Sequence, residues 1–170
     1  MGLDASTSCT GICIFNDKKL IYYNKIKPKN NTDFRHNACD IVEQVLEVAE
    51  KYKPNIIYME DVPTFVRKGG RGGNILKPMV SLGSVQGIFY YVLCHKHGFK
   101  IEYVGVAEWR QKLGFLKGEK GDRSRDKQKA KAVTYVNDIF GLNLHYVEGK
   151  KSVKDDDDIA EAICIVMSVI

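Results

Sequence analysis

The chain has 170 residues, 44% hydrophobic and 28% charged, which fits one soluble globular domain with a full core and not a disordered or fibrous chain. Its net charge of +5 favours a polyanionic partner. No apolar run reaches about 18 residues, so no membrane span is expected; the five cysteines show no CxxC pair and no signal peptide precedes them, which points to reduced thiols in the cytoplasm.

Only three residues precede Asp4, so the first strand is short or the chain is trimmed. Thr10 to Phe15 and Lys19 to Lys27 read as strands, with a turn signal at Asn16-Asp17, giving an antiparallel meander. Cys9 and Cys13 read as small core residues rather than a metal pair. Ala38, Ile41, Val42, Val45, Leu46 and Ala49 fall at helical spacing, and Lys53-Pro54-Asn55 stops that helix. Asn55 to Glu60 is almost continuously apolar, as in a buried parallel strand. Arg67 to Gly73 is a basic, glycine-rich loop. Met79 to His97 reads as a helix, Phe99 to Val104 as a strand and Ala107 to Leu113 as a short helix. His95 and His97 read as helix-end residues rather than zinc ligands. After the charged loop Lys117 to Arg123, Ser124 is a natural N-cap for a helix through Ala130, Val133, Val136 and Phe140. A last helix runs from about Asp156 to the end. Three strands followed by alternating helices and strands predict an α/β fold. Its mixed five-stranded sheet, an antiparallel meander then parallel strands, carries helices on both faces, in a single domain spanning 1–170.

Four acids stand at the ends of these elements. Asp4 lies in a β-run, where Asp is disfavoured and costly to bury unpaired; the small residues after it leave room for a phosphate. Glu60 closes the buried strand, where α/β sheets place ligands. Asp61 beside it points to the other face and is given at most a supporting role. In the run Asp155-Asp156-Asp157-Asp158, the helix dipole alone explains most of the acids. Asp158 and Glu161 differ, because they share one helix face at i and i+3. Asp155 extends that face and Asp157 pairs with Glu161 at i+4. Two divalent cations about 3.5–4 Å apart need such a cluster of hard oxygens.

The sequence resembles the RuvC family of Holliday-junction resolvases, within the RNase H-like nucleases. The resembling stretches are Gly2-Leu3-Asp4-Ala5-Ser6-Thr7 with Thr10-Gly11, Ile57-Tyr58-Met59-Glu60, and Ser81-Leu82-Gly83-Ser84-Val85-Gln86-Gly87. The basic region around Trp109-Arg110 and Lys127, and Asp158-Ile159-Ala160-Glu161-Ala162, complete them. The short length and divergent loops look more like phage-encoded members, which would act in the host cytoplasm. The resemblance implies catalytic and metal-binding roles for Asp4, Glu60, Asp158 and Glu161, and places Arg110 and Lys127 near the scissile phosphate, Lys127 with a catalytic part. The glycines of the 81–87 stretch are expected to permit close helix–sheet packing. Glu161 departs from the bacterial enzyme's aspartate, and the family's aromatic wedge would fall on Pro63, with Phe65 its replacement.

The expected reaction is two-metal hydrolysis of branched DNA, four-way junctions and also forks, with two Mg²⁺ ions that Mn²⁺ could replace. The expected DNA-binding residues are Arg67, Lys68, Arg71, Arg110, Lys117, Lys120, Arg123, Arg125, Lys127 and Lys129, with Lys131 extending the same run. A four-way junction has near two-fold symmetry, which calls for a homodimer; the helix from Met79 to His97, apolar on more than one side, is its expected interface. The competing readings are an RNase H-fold nuclease for RNA–DNA hybrid or forks, an actin-like ATPase, and a dead junction-binding module. The chain is short for the ATPase, and an intact acid set speaks against the dead module.

Overall fold

The computed structural model describes residues 1–6, 8–30, 32–62, 76–117, 124–149 and 155–170. Strands β1 (Gly2–Asp4), β2 (Thr10–Asn16) and β3 (Lys19–Ile26) open the chain, followed by helix α1 (Phe34–Tyr52) and strand β4 (Ile57–Asp61). Helix α2 (Leu76–Phe89) continues as a π-helical segment (Tyr90–Lys96). Strand β5 (Ile101–Gly105) and helices α3 (Val106–Lys112), α4 (Arg125–Phe140) and α5 (Asp157–Met167) complete the order. The sheet runs β3-β2-β1-β4-β5. Its first three strands pair antiparallel, while β1–β4 and β4–β5 are parallel. This is the mixed sheet that the sequence predicts.

The ends of the elements have local causes. The hairpin turn falls on Asp17-Lys18, one residue later than predicted, since Asn16 pairs with Lys19. Both turn residues have positive φ, 46° and 64°, the two-residue geometry whose twist matches paired strands. Asp33 caps α1 by accepting from the backbone N–H groups of Arg35 and His36, and Lys53 ends it in a left-handed conformation. Ser124 caps α4 as expected, accepting from Lys127 N. Helix α5 stops at Met167, short of the predicted end.

The sheet divides two apolar layers. Leu3, Ile12, Ile14, Ile57 and Met59 pack against α1, α2 and the π segment through Ile41, Val45, Val85, Phe89 and Leu93. Cys13 and Val104 face Trp109, Val133, Val136, Ile159 and Ile163 of α3, α4 and α5. Strand alternation sorts these residues. Each fully buried aliphatic side chain contributes about 1.5–3 kcal/mol. Helix α5 is buried all round from Ile159 to Val166, which accounts for a sequence that is apolar there at every position but Glu161.

The predicted helix from Met79 to His97 is two pieces, regular and then π-helical. Its glycines do not serve sheet packing: a Cβ added at Gly83 or Gly87 meets nothing within 4 Å. Val85, Phe89 and Leu93 form the buried stripe instead, and the glycines fall on the outer face with exposed Val80, Tyr90 and Tyr91. His97 Nδ1 lies 3.3 Å from Glu50 and His95 stacks on Tyr91. Among the described residues no helix is long and apolar enough to cross a membrane.

Candidate metal centre and nuclease site

Asp4 ends the central strand. Beside it β4 runs parallel, Gly2 opposite Tyr58 and Leu3 opposite Met59, so the next step of the register sets Asp4 across from Glu60. On the other side Asp4 pairs with Gly11 of β2. Leu3 and Met59 turn into the first core, which sends Asp4 and Glu60 to the α5 face.

Two glycines let α5 lie directly on the strands. A Cβ on Gly2 would come within 2.3 Å of the Ala162 carbonyl oxygen, and one on Gly11 within 1.8 Å of the Asp158 carbonyl oxygen. Cys13 Sγ donates to that Ala162 oxygen at 3.3 Å. The helix rests backbone on backbone beside Asp4, and brings Asp158 and Glu161 to it from one face. The start of α5 is tied down as well. Lys25 Nζ lies 2.6 Å from Asp156 Oδ1 and donates to the Asp155 carbonyl at 2.9 Å, while His145 N donates to Asp156 Oδ2 at 3.0 Å.

These acids repel one another. Asp4 keeps some open surface, but the surrounding protein removes most of its water. Burial first, and then the charges of Glu161, Glu60 and Asp158, push its pKa well above the carboxylate range. Glu60 is pushed up to about 7, by burial and then by Glu161, against the pull of the Trp109 hydrogen bond and of Arg110 and Arg125. Asp158 is raised by burial and then by Asp157. Trp109 Nε1 donates to Glu60 Oε2 at 3.2 Å, and Gln86 Nε2 donates to the Glu60 carbonyl.

Two internal cations answer part of this charge. Arg110 Nη2 lies 2.7 Å from Glu161 Oε1, with its guanidinium over the Trp109 ring, 4.9 Å from the centroid. Lys129 is ion-paired with Asp157, both largely buried. Burial works against the Lys129 ammonium, but the Asp157 bond and the charges of Glu161 and Asp158 outweigh it and raise its pKa. Among the described residues no three His, Cys, Asp or Glu side chains are placed so that they could hold a metal ion without moving.

The expected site residues thus fall into three groups. Asp4, Glu60, Asp158 and Glu161 come together, with Arg110 on Glu161. Asp61 is exposed. Asp157 faces Lys129 rather than pairing with Glu161. Lys127 is half-buried in the first turn of α4, while Lys117 and Arg125 are exposed. Lys129, expected among the DNA-binding lysines, is turned inward to the acids, and Lys131 Nζ donates to the Phe115 carbonyl at 3.3 Å. Pro63, Phe65, Arg67, Lys68, Arg71, Lys120 and Arg123 lie outside the described residues. Sequence reasoning missed the inward turn of Lys129, the grip of Trp109 on Glu60, and Cys9, whose thiol hydrogen-bonds Asp158; burial pushes that thiol up to about 12. For Lys129 a signal existed: Ala132, Val133 and Val136 follow it at i+3, i+4 and i+7, one helix face. An open hollow of about 330 Å³ lined by Leu20, Ile21, Tyr22, Tyr23, Phe140 and Leu142 holds no charged side chain and lies apart from the acids.

The electrostatics predict a pH dependence. In the folded chain Glu60 keeps its proton up to about pH 7, against 4.5 for an ordinary glutamate. Between these values the folded state binds more protons than the unfolded state, so stability declines as pH rises. Asp4 and Asp158 act in the same direction. Without divalent cations, Tm is expected to fall from pH 5 to pH 8, and millimolar Mg²⁺ to restore it at pH 8. A Tm that climbs over that window would contradict this account.

No protein-family model and no curated protein matches the sequence. Solved structures do match the fold. The Thermus thermophilus RuvC in complex with a Holliday junction substrate superposes with a TM-score of 0.64 at 17% identity, over 98% of this chain and 88% of that one. A second T. thermophilus RuvC structure gives 0.58 at 18%, over 98% and 90%. The yeast mitochondrial Holliday junction resolvase Ydc2 gives 0.55 at 18%, over 98% and 75%. The chain has the RNase H-like fold of these resolvases.

Proposed function

We propose that this RuvC-fold chain is a structure-selective endodeoxyribonuclease that resolves Holliday junctions and related branched DNA in the cytoplasm, as a single nuclease domain. The observation that carries the reading is the crowding of Asp4 by Glu60, Asp158 and Glu161. Acids forced together where three are half-buried and Glu161 is buried are costly unless a multivalent cation joins them. The donors are all hard oxygens, which suits Mg²⁺, or Mn²⁺ in its place. Asp4, Glu60, Asp158 and Glu161 are the residues that would hold such ions. When bound, the ions would supply an activated water near neutral pH and stabilise charge on the leaving oxygen.

The chain's own side chains orient this centre. Trp109 and Gln86 fix Glu60 from two directions, and Lys129 holds Asp157. Arg110, Lys117, Arg125 and Lys127 supply positive charge for the backbone of the strand, and binding is expected to weaken steeply with salt. The RuvC structure solved with its junction supports the choice of substrate.

The test is cleavage of an end-labelled four-way junction with Mg²⁺, beside linear duplex, a fork and an RNA–DNA hybrid. Paired cuts on opposed strands of the junction are expected. Cutting of the hybrid alone would move the function to an RNase H-type enzyme.

Paired cutting also calls for two active sites. On α2 and the π segment, Val80, Tyr90 and Tyr91 are 65%, 47% and 51% exposed, and Gly83 and Gly87 leave room for close approach. A second copy of this chain fits that face. Sedimentation at micromolar concentration is expected to give a dimer, and Tyr91→Glu a monomer; a wild-type monomer would rule this interface out.

A further inference from the structure

Glu161 is one of the four acids that would hold cations, yet one of its oxygens is already occupied. Arg110 Nη2 donates to its Oε1 at 2.7 Å, and the two side chains are only 17% and 7% exposed. This contact is built in by the fold. Helix α3 begins directly after β5, its Trp109 is fully buried, and the Arg110 guanidinium lies over that indole, 4.9 Å from the ring centroid. The same indole donates to Glu60. Arg110 is therefore held beside two of the acids at once. Its Nε is buried with no hydrogen-bond partner among the described residues, so a pair of parallel bonds is not completed on Glu161.

A divalent cation on Glu161 and the Arg110 guanidinium on its Oε1 would repel each other in a partly desolvated site. Cation binding therefore weakens the hold of Glu161 on Arg110. The displaced guanidinium cannot stay buried without an anion, because an unpaired buried charge is costly. The anion that the proposed reaction brings to this spot is a phosphodiester, whose oxygens match the fork of donors that Glu161 leaves unfilled.

We propose that Arg110 is a resident counterion of Glu161 that cation binding displaces, and that the freed guanidinium then pairs with a phosphate of the bound DNA strand. This rests on reading the acids as a metal centre. It makes cation loading and DNA engagement mutually reinforcing, since each draws Arg110 and Glu161 apart, and such coupling is reciprocal. The acids then take their cations most tightly when a strand is in place.

The test uses the full chain and Mn²⁺, with affinity read by electron paramagnetic resonance. Without DNA, Arg110→Met is expected to bind Mn²⁺ about tenfold more tightly than wild type, the scale of a lost charge-assisted hydrogen bond. Arg110→Lys, which keeps a weaker competitor, falls between them. Affinity in Arg110→Met equal to or weaker than wild type overturns the proposal while leaving the metal centre standing. No Mn²⁺ binding by wild type removes both. The wild-type protein gives an independent readout should Arg110→Met fold poorly. The Arg110 Nε–H resonance is expected to shift as Mg²⁺ is added and again as junction DNA follows; a resonance that Mg²⁺ leaves in place overturns the displacement.

Discussion

Replacing Asp4 by asparagine is expected to abolish Mg²⁺-dependent cleavage while leaving DNA binding intact. The charges of the other three acids all act on Asp4, so on the proposed function it is the ligand the metal centre can least spare. Such ions contribute several kcal/mol at the transition state, and losing about 4 kcal/mol slows turnover on the order of 10³-fold. The same substitution has a second, opposite signature. An amide carries no charge to repel Glu60, Asp158 and Glu161, so the Asp4→Asn protein is expected to melt higher than wild type at pH 8 in the absence of metal. Activity lost with stability gained separates a functional acid from a structural one. Cleavage assays and melting curves on one preparation read both, and retained Mg²⁺-dependent turnover would sink the assignment.

Gly11→Ala is expected to damage the site without touching an acid. The added Cβ would stand 1.8 Å from the Asp158 carbonyl oxygen and 2.8 Å from Ile159 N. These are backbone atoms of a helix buried on every side, so they cannot swing away as a side chain would. Either α5 lifts from the sheet or β2 moves, and overpacking of this kind costs about 3 kcal/mol. A shift near 1 Å at Asp158 and Glu161 would lower turnover about 10²-fold even in the molecules that remain folded. Denaturant titration gives the first number and single-turnover cleavage the second. A fully stable and active Gly11→Ala protein would show that α5 does not need this contact.

The sequence disclosed the acids because each stands where a periodic pattern ends: Asp4 and Glu60 at strand ends, Asp158 and Glu161 on one face of an apolar helix. The mixed sheet, an antiparallel meander and then parallel strands, followed from the same periodicities, while the order β3-β2-β1-β4-β5 came from the structure. What stayed hidden depends on how each element is rotated about its own axis. The alternating lysines at 127, 129 and 131 look alike as text, yet the packing of Ala132 and Val136 turns Lys129 inward to Asp157. Gly83 and Gly87 look like packing glycines, yet Val85 and Phe89 take the buried stripe and leave them outside. The acidic run at 155–158 is four equal letters, and only the fold sends Asp156 to Lys25 and Asp157 to Lys129.

The acids of this centre come from opposite ends of the chain, Asp4 on the first strand and Glu161 on the last helix. Contacts so distant in sequence form late, since the closure of long loops must precede them. During synthesis the leading segments emerge with Asp4 and Glu60 but without the helix that completes the cluster. A ribosome-bound or prematurely terminated product lacking α5 carries Asp4 and Glu60 without Asp158 and Glu161. On the proposed function, the chain is in this way kept from cutting DNA until α5 has been made.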